Sequence, residues 1–99
     1  MKALLVTFLA LVFSSASLAQ HTNILIDDVG SFYPPEEPSI IIDPKNTDHL
    51  VAGSNIDNYY ISTDGGQTWE KGNLSSTYGV WGDPVLIVDT AGSYYFFHL

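Results

Sequence analysis

The chain has 99 residues, 45% of them hydrophobic and 13% aromatic, with no cysteine and a formal net charge of −8, eleven acidic residues standing against three basic ones. That length holds at most one small domain and buries a modest share of its surface. The missing cysteine excludes a disulfide scaffold, thiolate metal sites and a cysteine nucleophile, and the acidic balance argues against a nucleic-acid partner, which needs clustered Lys and Arg.

In chain order, Lys2 precedes an apolar run over residues 3–13, interrupted only by Thr7, and then the small residues of 14–19. This layout predicts a secretory signal peptide over 1–19, cut before Gln20, with Ser17 and Ala19 as the small residues of the cleavage site. A membrane span needs roughly 20 apolar residues, more than this run supplies, so no membrane attachment is expected after cleavage. The expected location is secreted or periplasmic. Residues 20–35 form a leader whose Asn23-Ile24-Leu25-Ile26 stretch reads as a short strand able to close a ring.

Beyond the leader the strand signals are dense. Runs at 39–43, 49–53, 58–62 and 68–71 are rich in β-branched and aromatic residues, and the segments between them carry Pro, Asn, Asp and Gly turn chemistry. They predict a four-strand antiparallel meander. The pattern then restarts: Glu37-Pro38-Ser39-Ile40-Ile41-Ile42-Asp43 aligns with Asp83-Pro84-Val85-Leu86-Ile87-Val88-Asp89, and His49-Leu50-Val51-Ala52 with Tyr94-Tyr95-Phe96-Phe97 after a short deletion. Each proline stands where a strand tolerates a missing N–H, and Asp43 and Asp89 open turns. Continuous apolar runs predict burial on both strand faces. A four-strand unit repeating with a period in the forties is the pattern of a propeller blade. The expected fold is therefore all-β, an incomplete β-propeller of about one and a half four-stranded blades. Residues 36–82 form the first blade and 83–99 the truncated start of the second. Since repeat folds need about three units, the chain reads as an N-terminal fragment.

The most specific stretch is Ser62-Thr63-Asp64-Gly65-Gly66-Gln67-Thr68-Trp69. Asp64 and Ser62 suit Asx- and ST-turns, Gly65 and Gly66 permit positive φ, and Trp69 supplies a plate for packing against an adjoining blade. The stretch matches the S-x-D-x-G-x-T-W form of the Asp box, or bacterial neuraminidase repeat, at Ser62, Asp64, Gly66, Thr68 and Trp69. Over about 36–99 the chain thus resembles the sialidase-like propeller proteins, in which the box joins a blade's third and fourth strands on the outer rim, away from the active centre. The box is therefore structural, and no catalytic residue is assigned.

The resemblance implies glycoside hydrolysis of the sialidase type, or binding of an extracellular glycan or polysaccharide. Sialidases hold the substrate carboxylate with three arginines, whose forks match it bidentately, and use a tyrosine nucleophile. The chain has no arginine, and Pro34-Pro35-Glu36-Glu37-Pro38 stands where the first of that triad falls. Catalysis by the fragment itself is not expected. The alternatives are a non-catalytic propeller used for binding, and another Asp-box hydrolase such as a xyloglucan-type endoglucanase. Glu37 and Asp83, each before a proline-led strand, are the candidate channel-facing residues. Such carboxylates suit sugar hydroxyls, acid/base work or Ca²⁺, although no cofactor or metal site is assigned. Tyr59, Tyr60, Tyr94, Tyr95 and Trp81 are candidate stacking faces for sugar. His21, His49 and His98 lack ligand spacing, and Asn73-Leu74-Ser75 is a glycosylation sequon.

Overall fold

A computed structural model describes residues 22–28, 30 and 34–99. The expected signal segment lies outside the described residues. Among the described residues the fold is all-β, with no helix: six antiparallel strands form a four-strand sheet and a two-strand sheet. The first sheet contains β1 (Ser39–Ile42), β2 (Leu50–Ser54), β3 (Asn58–Ser62) and β4 (Glu70–Asn73) in sequential order. The second pairs β5 (Val85–Val88) with β6 (Tyr94–Phe97). No helix of the described residues is long and apolar enough to cross a membrane.

Three expected strands end within a residue of their observed limits, but β4 begins at Glu70 where the sequence suggests Thr68. The cause is local. The backbone N–H groups of Gln67 and Thr68 both donate to Asp64 Oδ1, at 2.9 Å each, which commits that backbone to the turn. Residues 23–26 lie outside any strand of the described residues, so the leader contributes no ladder there. It is tied down through Asp27, which accepts from Tyr60 Oη at 2.6 Å and from Lys71 Nζ at 2.7 Å.

Register determines which side chains share a face, because directly opposed residues point the same way. Ile40, Ala52, Tyr60 and Lys71 are aligned across the first sheet, with Leu50 and Ser62 on the same face. Leader residues Ile26, Asp27 and Pro35 lie over the Ala52–Tyr60 part of this front face. The rear face carries Ile41, Val51, Gly53, Tyr59 and Ile61. Against it stands the inner face of the second sheet, formed by Leu86, Phe96, Val88 and Tyr94. Leu50, Ala52, Tyr60 and Leu86 are the buried apolar side chains, and full burial of a large one stabilises by about 1.5–3 kcal/mol.

The apolar runs are not covered on both faces as expected. Ile40 and Val85 are each 55% exposed, and Ile42, Ile87, Tyr95 and Phe97 are also exposed. Each sheet has one face against the other, and β5–β6 has no second layer among the described residues. The composition of the runs exceeds what this packing covers.

The 46-residue offset is visible in the backbone. Glu37 and Asp83 share a left-handed conformation, φ 52° and 51°. Asn55 N–H donates to Glu36 O at 3.1 Å, and Leu99 N–H to Gly82 O at 3.1 Å. Asp43 Oδ1 accepts from Lys45 N–H, as Asp89 Oδ1 does from Ala91 N–H, both at 2.8 Å. Asp43 N–H bonds His49 O and Asp89 N–H bonds Ser93 O, each at 3.0 Å. The second loop is two residues shorter, so Ser93 takes the place of His49 and Phe96 that of Ala52, which moves the sequence alignment of His49–Ala52 with Tyr94–Phe97 by one residue.

The inter-sheet contact is tightest at Gly53. A Cβ there would stand 2.5 Å from Phe96 Cε2 and 3.0 Å from Cζ, with Pro84 Cβ at 3.3 Å. Gly53→Ala is expected to lower stability in chemical denaturation by about 1–3 kcal/mol, the usual overpacking cost. Phe96→Leu in the same chain should return much of that loss. Equal and additive losses would show that the two positions do not meet.

Candidate functional site

Two polar constellations stand out, one at each kind of turn. The first is the β3–β4 connection, residues 62–69. Ser62, only 1% exposed, donates from Oγ to Asp64 Oδ1 at 2.9 Å and accepts from Gly66 N–H at 2.9 Å. Asp64 takes the Gln67 and Thr68 amides on Oδ1, and Thr68 Oγ1 donates to Oδ2 at 2.6 Å. Gly65 and Gly66 have φ of 71° and 85°, a region that disfavours residues with a Cβ. Trp69 Nε1 donates to Gly66 O at 3.0 Å. Its indole folds back over its own turn beside Gly66, where the sequence suggested a plate against the adjoining blade. All five expected residues of the box, Ser62, Asp64, Gly66, Thr68 and Trp69, are thus in one hairpin turn.

These donors have an electrostatic consequence. The Thr68 hydroxyl, followed by the Thr68 amide, stabilises the ionised carboxylate and lowers Asp64 to about 2. A carboxyl lowered on folding favours the native state above its unfolded value near 3.8, and loses that contribution as pH falls through the folded value. Both oxygens of Asp64 are thus engaged by its own turn.

The second constellation lies where β1 and β5 begin. Glu37 and Asp83 meet there: Asp83 N–H donates to Glu37 Oε2 at 3.3 Å, and the Asp83 carboxyl lies against that of Glu37 and raises it above the ordinary glutamate range. Each of the two precedes a proline, which favours an extended backbone in the residue before it, so the left-handed φ they share runs against that preference. Asn55 joins the cluster, its Oδ1 accepting from Glu36 N–H at 2.8 Å. Gly82 packs between Asn55 and Glu37, and a hollow lined by Pro34, Glu36, Asn55 and Ile56 opens beside it. Trp81, 72% exposed, adjoins on the same loop with Tyr78, also exposed, and Trp81 Nε1 donates to Tyr78 O at 3.2 Å.

Three of the other stacking candidates are occupied with packing: Tyr60 is 3% exposed, Tyr59 covers Gly72 and Tyr94 lines the inter-sheet cleft. Tyr95 is exposed, with its hydroxyl donating to Asp89 Oδ2 at 3.0 Å. Among the described residues no group of three or more His, Asp or Glu is placed to hold a metal ion. Glu37 and Asp83 are a pair without a third acidic or histidine ligand, so the cluster does not supply a Ca²⁺ shell of 6–8 oxygens from carboxylates alone. Neither His49 nor His98 completes such a group. In the sequon, Asn73 is engaged through Nδ2 with Asp57 and Asn58.

Sequence reasoning missed the Asp27 network. Tyr60 Oη lies 3.0 Å from Ser54 Oγ and donates to Asp27. Burial, followed by the Asp27 carboxylate, pushes Tyr60 up to about 12, while the Lys71 ammonium and then the Tyr60 hydroxyl hold Asp27 below its ordinary value. No local pattern marks partners 33 and 44 residues apart.

Comparison with protein-family models, with curated proteins and with solved structures finds no match to this chain.

Two outcomes follow from this geometry. Ser62→Ala should lower stability by about 1–2 kcal/mol, because it strands the Gly66 amide and removes a buried hydroxyl's bonds; calorimetry at neutral pH reads it, and an unchanged transition would remove the turn's structural role. Glu37→Gln should raise the melting temperature at pH 7 by relieving carboxylate repulsion. Near pH 3 the difference should vanish, since a carboxyl raised on folding favours the native state only while it is protonated. A stabilisation that persists in acid would show that the pair does not repel.

Proposed function

We propose that this chain holds about one and a half four-stranded blades of a secreted or periplasmic Asp-box propeller of the sialidase-like kind, and that it binds extracellular glycans through the loop end bearing Glu37, Asp83 and Trp81. The observation that carries the propeller assignment is the 62–69 turn, where every defined residue of the box makes a bond or permits the backbone the turn requires. The stacked sheets and the paired backbone features 46 residues apart support a repeating array, one unit behind the next. The leader, latched through Asp27, stands at the front of that array.

Binding is favoured over hydrolysis by the geometry of the acids. A glycosidase pair flanks the scissile bond with both carboxyls directed at it, whereas the Glu37 carboxylate accepts from the Asp83 backbone amide at 3.3 Å. None of these 99 residues is an arginine able to form the bidentate carboxylate clamp that a sialic acid site uses. An exposed indole beside hydrogen-bond acceptors is instead a sugar-stacking arrangement, apolar ring against apolar sugar face with hydroxyls directed to the acids. Neutral polysaccharides of the xyloglucan type therefore fit the site better than anionic sialosides, which the acidic surface repels.

Titration of the chain with xyloglucan oligosaccharides and with sialyllactose should show saturable binding of the neutral sugar alone. Trp81→Ala should weaken it by about tenfold, the loss typical of a stacked aromatic contact. Binding that survives both Trp81→Ala and the Glu37→Ala change would sink the assignment of this loop end. Turnover of a fluorogenic sialoside by the chain would overturn the preference for binding.

A further inference from the structure

Three polar side chains on the front of the first sheet are brought together by strand register. Lys71 lies directly opposite Tyr60, and Ser54 stands two residues beyond Ala52, the other partner of Tyr60, so all three point the same way. β2, β3 and β4 contribute one each. Ser54 and Tyr60 are only 2% and 3% exposed. The Tyr60 hydroxyl has a single proton and donates it to Asp27 Oδ2 at 2.6 Å, so in its 3.0 Å bond with Ser54 Oγ the serine is the donor. Lys71 Nζ donates to the same Asp27 oxygen at 2.7 Å. The sheet thus converges an O–H and an ammonium on one point, a set that calls for an acceptor with negative charge.

The group that fills this point comes from outside the ladder. Residues 22–28 form no strand. Their other hydrogen bonds among the described residues stay within the leader, Asp28 N–H to Asp27 Oδ1 and Gly30 N–H to Asp28 Oδ1. The Asp27 side chain is nonetheless held at 13% exposure, beside a hollow of about 200 Å³ between Ile26 of the leader and Pro38 and Ala52. We propose that Ser54, Tyr60 and Lys71 form a ready-made carboxylate receptor, and that Asp27 occupies it as an exchangeable ligand carried by the chain itself. A free carboxylate that takes its place releases residues 22–28 as a strap and opens the hollow. A group on a short tether meets its site at an effective concentration on the order of millimolar, so competing carboxylates act at or above that range. The receptor stands independently of the glycan assignment, which concerns the loop end at Glu37.

Formate is the carboxyl group that Asp27→Ala removes, and it serves as the probe. The full chain, its Asp27→Ala variant and an Asp27→Ala, Lys71→Met double variant are titrated with sodium formate, against sodium chloride at equal ionic strength, and followed by NMR. In Asp27→Ala, residues 24–28 should loosen, with backbone order parameters below about 0.6, while the amide shifts of β5 and β6 stay unchanged. Formate should then shift the Tyr60 and Lys71 side-chain resonances saturably, at least tenfold more tightly than in the unaltered chain. Adding Lys71→Met should weaken formate binding by about tenfold. Three results would each overturn the proposal: Tyr60 unmoved by formate in Asp27→Ala, chloride as effective as formate, or residues 24–28 ordered without the carboxylate. If the variant loses the sheet, the unaltered chain decides. Loosening of residues 24–28 by formate and not by chloride supports exchange, and order kept up to molar formate overturns it.

Discussion

The meeting of Phe96 with Gly53 is the contact on which the tertiary arrangement rests. A two-strand sheet is marginal in water on its own, and β5–β6 becomes part of a folded body by laying Leu86, Phe96 and Tyr94 on the rear of the first sheet. The approach is close enough that position 53 has no room for a side chain. Leu86 N–H bonding Ser39 Oγ at 3.1 Å, and Tyr94 Oη bonding His49 O at 3.3 Å, set the two sheets in register. That register also determines the polar end of the molecule. With β5 placed behind β1, the residues that precede them, Asp83 and Glu37, are brought together.

The repeat explains why this end differs from the other turns. Asp43 and Asp89 each close a loop by accepting a backbone amide two residues on, and a carboxylate suits that role because it accepts without offering a competing donor. Glu37 and Asp83 stand at positions where the same repetition places acid beside acid. A left-handed, pre-proline backbone holds both residues there. Nothing in the packing of the sheets requires a charge at either position, whereas the Asp64 carboxylate is required by its turn.

The parts legible in the sequence are those whose partners are near in the chain. All the bonds of Asp64 fall within residues 62–68, so an eight-residue motif was sufficient to define that turn and the hairpin around it. The juxtaposition of Glu37 with Asp83 was legible only through the repeat. The start of β4 was misplaced because strand propensity at Thr68 and Trp69 is overruled by the Asp64 carboxylate, which captures the amides a ladder would use. The Asp27–Tyr60–Lys71 network had no signal, since a leader side chain and a mid-strand tyrosine have no periodic relation. Burial was overread as well: an apolar run records what a strand is built to be covered by, and here each run meets a partner on one face.

The acids themselves differ in what the chain does for their charge. Asp64 has its oxygens filled by two amides and two hydroxyls of its own turn, and Asp27 by a phenol and an ammonium. In both, the chain stabilises the charge, and the carboxyl is correspondingly acidic. Glu37 shows the opposite sign. The chain gives it one amide at 3.3 Å and presses another carboxyl against it, at a surface position where it was free to turn to water. The difference in sign separates acids whose charge the chain supports, Asp64 and Asp27, from one whose charge it does not, Glu37.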